Sequence, residues 1–87
     1  MKNGALGDAY AEKGDLDKAL SLYKKAASTN PNDALTPYYL KKVGMLQEKQ
    51  GDYTAAIEQY EAIKTSYPES SDARDIDKYI VRAKSKG

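Results

Sequence analysis

Apolar positions recur along this chain at intervals of three and four residues, in blocks cut by glycine and proline. Leu6, Ala9 and Tyr10 fall at helical spacing and run on to Lys13 before Gly14 interrupts. That spacing predicts a helix over 3–13. Leu16, Ala19, Leu20, Tyr23, Ala26 and Ala27 form the stripe of a second helix, 16–29, with Asp17, Lys18, Lys24 and Lys25 on its polar side. Gly14 suits a reversal because glycine tolerates positive φ, and Asp15 or Asp17 caps the second helix. The same logic predicts helices over 34–50 and 53–66, with Gly51 at the reversal and Asp52 as cap. Pro31 and Pro68 stop the second and fourth helices, since the residue before a proline disfavours helical backbone. After Pro68, Ser70, Ser71 and Asp72 supply capping chemistry for a fifth helix, 71–84. Ala73, Ile76, Ile80 and Ala83 give it one apolar face, and Lys84 and Lys86 suit its C-terminus.

The first half of the pattern returns in the second. Gly7 matches Gly44, Gly14 matches Gly51, Asp15 matches Asp52, Ala19 matches Ala56, Tyr23 matches Tyr60 and Pro31 matches Pro68, all 37 residues apart. Leu6 pairs with Val43 and Leu20 with Ile57 at the same offset; Glu12 and Glu48 are one residue out of step. Each unit therefore reads as helix, tight turn, helix. The small residues Gly7, Ala19, Gly44 and Ala56 let antiparallel helices approach closely, and Tyr23 and Tyr60 fill the wedge beside them. The organisation expected is one all-α domain over 1–87: a repeat at 3–33, a second at 34–69, and a capping helix with tail at 70–87.

These positions resemble the tetratricopeptide repeat family, whose pattern runs W-x2-L-G-x2-Y, G, A-x3-F, A, P. The first unit carries it as Leu6-Gly7, Tyr10, Gly14, Ala19, Tyr23, Ala26 and Pro31, and the second as Val43-Gly44, Gly51, Ala56, Tyr60 and Pro68. Gln47 and Ile63 are less typical, and Leu40 and Asn3 hold the Trp places. The resemblance implies an α-solenoid of two helical hairpins plus a capping helix, working as a non-catalytic protein-interaction or scaffold module. The spacing exceeds the family's 34, so about three extra residues fall between Asn30 and Tyr38. Either they lengthen the linker, or Asp33 caps an earlier helix start with Pro37 in its first turn; the second reading is preferred. The cadence Asp72 to Ile80 is similar to the closing helix of some bacterial members. The first helix begins almost at Met1, which suggests the C-terminal part of a longer array.

Composition narrows the chemistry. Fourteen basic and thirteen acidic residues leave a net charge of +1, too balanced for a nucleic-acid footprint. Lys24-Lys25 and Lys41-Lys42 are too few to make a basic stripe. No apolar run approaches the roughly 20 residues that span a bilayer, and the start lacks the apolar stretch of a signal peptide. The compartment stays open, cytoplasmic or periplasmic. With no His and no Cys, the usual general base, soft metal ligands and reactive nucleophile are missing. No catalytic residue, cofactor or metal site is predicted. Asp72, Asp75 and Asp77 lack the glycine and closing Glu of a calcium loop, and complementing a helix N-terminus explains them more simply. Glu58 and Glu61 sit on a polar helix face with nothing to desolvate either.

The candidate binding surface is the face of each first helix left over from the core. In the second unit it comprises Tyr38, Lys41, Lys42, Met45, Glu48 and Lys49; in the first, Asp8, Ala11 and Glu12. An exposed Met, a ring and several ammonium groups suit a peptide with acidic and apolar side chains; an ordinary solvated helix face has the same composition. Of the adjacent pair Tyr38-Tyr39, Tyr39 is assigned to the core and Tyr38 to contact. Some family members grip a C-terminal carboxylate with a Lys and Asn pair, but those places hold Gly4 and Asp8 here. The competing expectation is self-association. A first helix without its opening turn should leave Leu6, Tyr10 and Leu20 uncovered at the N-terminal edge, where a second copy could stack.

Overall fold

The computed structural model describes residues 2–29, 31–32 and 34–87. It contains α1 (Lys2–Lys13), α2 (Leu16–Ser28), α3 (Thr36–Lys49), α4 (Tyr53–Ser66), a 3-10 turn (Asp72–Asp75) and α5 (Ile76–Lys86). Each helix packs on the next in sequence: α1 on α2, α2 on α3, α3 on α4 and α4 on α5. The chain is thus all-α, two helical hairpins followed by a capping helix.

Both hairpin turns are built by the same device. Gly14 and Gly51 have φ of +88° and +82°, the left-handed conformation that glycine enters without a Cβ penalty. The Asp15 N–H donates back to the Tyr10 carbonyl at 2.9 Å, and the Asp52 N–H to that of Gln47 at 2.8 Å. These bonds satisfy carbonyls that the ends of α1 and α3 would otherwise orphan. The same aspartates then open the next helix. Asp15 Oδ1 accepts from the Lys18 N–H and Asp52 Oδ1 from the Ala55 N–H, both at 3.2 Å.

Two helix starts differ from the expectation by more than one residue. α3 begins at Thr36 rather than 34, and the residue organising the entry is Asn32. Its Oδ1 accepts from the backbone N–H groups of Ala34 and Leu35 at 3.0 and 2.7 Å, while its own N–H donates to Thr36 Oγ1 at 2.8 Å. The extra residues therefore form a capping turn ahead of the helix. Asp33, the cap expected there, lies outside the described residues. Pro37 does sit in the first turn of α3, where its missing N–H costs nothing. After Pro68 the chain enters a 3-10 turn, so the α-helix starts at Ile76 rather than 71 and runs to Lys86. Ser70 Oγ accepts the Ala73 N–H at 3.2 Å, a role the sequence spread over Ser70, Ser71 and Asp72.

The core has two parts. Ala19, Tyr23, Ala26, Ala27, Tyr39, Val43 and Leu46 form the first; Ala56, Tyr60, Ile63, Ile76, Ile80 and Ala83 form the second. Leu40 packs against both and joins them. Close helix approach depends on glycine at two matched places. A Cβ on Gly7 would lie 2.7 Å from the Tyr23 ring, and one on Gly44 2.5 Å from the Tyr60 ring. The 37-residue register continues into α5: buried Ile76, Ile80 and Ala83 match Tyr39, Val43 and Leu46. Where Gly44 stands, α5 has Val81, which is 66% exposed. A branched side chain there leaves no room for a tyrosine packed as Tyr23 and Tyr60 are.

Candidate functional site

The first helices α1, α3 and α5 form one face, tied together across its width by two three-residue links. In one, the Tyr23 hydroxyl of α2 donates to Asp8 of α1, and Lys42 Nζ of α3 reaches the same oxygen at 2.7 Å. In the other, the Tyr60 hydroxyl of α4 donates to Glu48 of α3 at 2.6 Å, and Arg82 of α5 grips that carboxylate with two bonds of 2.8 and 3.2 Å. A buried ring from a second helix thus anchors an acid on a first helix, and a base on the next first helix closes over it.

The electrostatics follow from this arrangement. The Lys42 and Tyr23 bonds hold the Asp8 carboxyl below its ordinary range. Burial, reinforced by Asp8, pushes the Tyr23 hydroxyl up to about 12. Burial opposes charge on Lys42, but the bonds to Asp8 and Tyr38 and the nearby Asp8 charge together outweigh it, and its titration moves upward. Glu48 is a similar contest: burial pushes it up, the Arg82 and Tyr60 bonds prevail, and it ends below the usual value. Burial, then Glu48, raises Tyr60.

The residues singled out from sequence separate into two groups. Tyr38 and Met45 are 41% and 43% exposed; Lys49 and Glu12 are exposed and have no ion pair among the described residues. Lys42 is half-buried, its ammonium 5.1 Å from the Tyr38 ring and 5.2 Å from that of Tyr23. Beside them a shallow hollow of about 200 Å³ is lined by Tyr23, Lys42, Met45, Leu46 and Lys49. Ala11 is partly buried against the first core.

Lys41 and Glu48 correct the sequence reading, which placed both on the open face. Lys41 turns toward the capping segment, 3.8 Å from Asp72, 3.5 Å from Asp75 and 4.6 Å from the Tyr79 ring centre. The Glu48 side chain is only 9% exposed beneath Arg82. Sequence spacing alone missed this because the partners, Tyr79 and Arg82, lie on a helix whose pattern reads only as a solvating end. The acidic group is explained by the same contacts. Asp72 and Asp75 neutralise Lys41, and Asp77 pairs with Lys64 at 2.8 Å, while all three also stand in the first turns of the 3-10 segment and α5, as the sequence reading had them. A larger hollow of about 500 Å³ lies between Ala34 and the loop from Ser66 to Asp72. No helix among the described residues is long and apolar enough to cross a membrane.

Stacked helix–turn–helix units, with glycine turns in one register and a face built from successive first helices, define an α-helical repeat protein. Residues 1–69 match the tetratricopeptide repeat family, and the chain belongs to it. A curated relative, Superkiller complex protein 3 of Mus musculus, is 37% identical over 59 residues, covering 68% of this chain and 4% of its own length. The chain therefore spans a small fraction of that relative. A mouse relative lends no support to the bacterial origin suggested by the closing helix. No solved structure matches the chain.

Proposed function

We propose that this chain is a non-catalytic protein-interaction module, with repeats at 3–33 and 34–69 closed by 70–87, that captures a peptide segment on the face of α1 and α3. The observation carrying this reading is the hollow beside Met45. Exposed Met45, half-buried Lys42 and free Lys49 surround the buried Tyr23 ring there, an adaptable apolar spot with cationic rims. Family membership supports the reading, since such repeats generally mediate protein–protein contacts, and the mouse relative is by its name a component of a complex. A photo-crosslinking amino acid at position 45, compared with one at exposed Glu58, tests it. Discrete adducts from position 45 alone are expected; equal adducts from both positions would remove the assignment.

A second reading has one observation behind it. Leu6 of α1 is 43% exposed, and Tyr10 and Leu20 are only half-buried, so a second copy stacked on these residues would form a homodimer. The Tyr10 ring is already flanked by the Lys13 and Lys18 ammonium groups at 5.6 and 5.4 Å, which favours the peptide reading. Light scattering over a concentration series separates the two: a constant monomer mass rules out the dimer.

A further inference from the structure

We infer that α5 is the third wall of this groove, and that the groove selects an extended segment with apolar side chains over its middle and acidic ones over α3 and α5. The inference rests on the peptide-binding reading above and adds the chemistry and direction of the ligand.

The two cross-links share a geometry. Asp8 to Lys42 and Glu48 to Arg82 are each a step of 34 residues from one first helix to the next. One helical turn on from Asp8 and Lys42, the same step leads from Ala11 to Met45 and from Met45 to Tyr79. Another turn reaches Glu48 and Arg82. Ala11, Met45 and Tyr79 therefore form an apolar row across three helices, bordered on either side by an ion pair. Each residue keeps some exposure, and Met45 keeps the most, at 43%. Tyr79 is held in place between Lys41 and Arg82, 4.6 and 4.8 Å from its ring centre.

The charges left over after pairing are sided. Glu12, Lys49 and Lys86 occupy the same position on α1, α3 and α5 by the 37-residue register. All three are exposed and none has an ion pair among the described residues. At this matched position the free charge is negative on α1 and positive on α3 and α5. Lys86 also lies close enough to Glu48 to help lower its titration. A ligand that matches this face places its acidic residues toward α5 and basic or neutral ones toward α1. Lysines in a last helical turn also complement the helix dipole, but that role acts on stability and not on binding.

The test is selection of a random linear-peptide library against the whole chain, followed by fluorescence polarisation with the labelled peptide of the strongest clone. Clones should carry acidic residues beside apolar ones. The double substitution Lys49→Glu, Lys86→Glu should weaken binding about tenfold or more, with a helical signal and melting temperature like the parent's, and Glu58→Lys at an exposed position of α4 should not weaken it. Clones that lose binding in Met45→Glu but ignore the double reversal, or that lack acidic residues, overturn this inference and leave the groove standing. An empty selection, or clones indifferent to Met45→Glu, overturn both.

Discussion

The Tyr60 hydroxyl donates to Glu48 at 2.6 Å, and Tyr60 is wholly buried while the Glu48 side chain is 9% exposed. The equivalent Tyr23 makes the same kind of bond to Asp8, whose side chain is 51% exposed. Burial decides what each bond contributes. Removing the hydroxyl from Tyr60 strips a donor from a carboxylate that water reaches poorly, which costs about 1–2 kcal/mol. At Asp8, solvent takes the vacated place. Tyr60→Phe should therefore lower the urea midpoint clearly, and Tyr23→Phe should lower it by less than half as much. Equal losses would show that the two links are energetically alike.

The same groups set the pH dependence. Glu48 and Asp8 titrate lower in the folded chain than their ordinary values of 4.5 and 3.8. Their contribution is complete above those values and is lost as the pH falls through the folded ones. Tyr23 is raised from 10.0 to about 12, so its contribution is complete below 10.0 and drains away as the pH climbs toward about 12. Thermal melts should show a plateau near neutrality, an acid decline below about 4.5 and an alkaline decline above about 10. The alkaline limb should weaken in Tyr23→Phe.

The glycines divide by the reason each is needed. At Gly44 an added methyl meets the Tyr60 ring at 2.5 Å, so Gly44→Ala overpacks the hairpin and should cost about 1–3 kcal/mol. At Gly14 nothing lies within 4 Å of such a methyl, but φ is +88°, and Gly14→Ala should cost about 1–2 kcal/mol in backbone strain alone. The first loss comes from a neighbouring ring and the second from the backbone itself, so the two differ in rescue. Tyr60→Leu should recover part of the Gly44→Ala loss, and Tyr23→Leu should recover nothing from Gly14→Ala.

Most of the fold was legible because it is written in local chemistry. Gly14 and Gly51, Asp15 and Asp52, and Pro31 and Pro68 mark their turns by conformational preference, which needs no knowledge of distant contacts. The starts of α3 and α5 were less legible, since Asn32 and Ser70 act through side-chain bonds that compete with several neighbouring candidates. The surface was the least readable. Lys41 and Glu48 sit at periodic positions identical in kind to Lys42 and Lys49, and only the placement of Tyr79, Asp72, Asp75 and Arg82 takes them out of solvent.

That placement makes Lys41 a latch between α3 and the capping segment. Its side chain is 18% exposed, with two aspartates and the Tyr79 ring around its ammonium. Lys41→Met keeps the stem but leaves Asp72 and Asp75 facing an apolar group. Amide hydrogen exchange should accelerate over residues 72–86 and stay unchanged over α1 and α2. Uniform acceleration along the chain would mean that the ion pairs stabilise the whole array rather than its end.

Gln47 marks a place where the second repeat is weaker than the first. It stands where Tyr10 stands one repeat earlier, it is 5% exposed, and its Oε1 is buried with no hydrogen-bond partner. An unsatisfied buried acceptor costs about 1–3 kcal/mol, whereas an apolar group of similar size at the same place incurs no such loss. Gln47→Leu should therefore raise stability by about 1 kcal/mol, visible as a higher urea midpoint with an unchanged slope. Its backbone carbonyl, which accepts the Asp52 N–H at 2.8 Å, is untouched by the change, so the turn at Gly51 should hold. A lower midpoint would mean that the amide group contributes to packing at the end of α3 more than its bare acceptor costs.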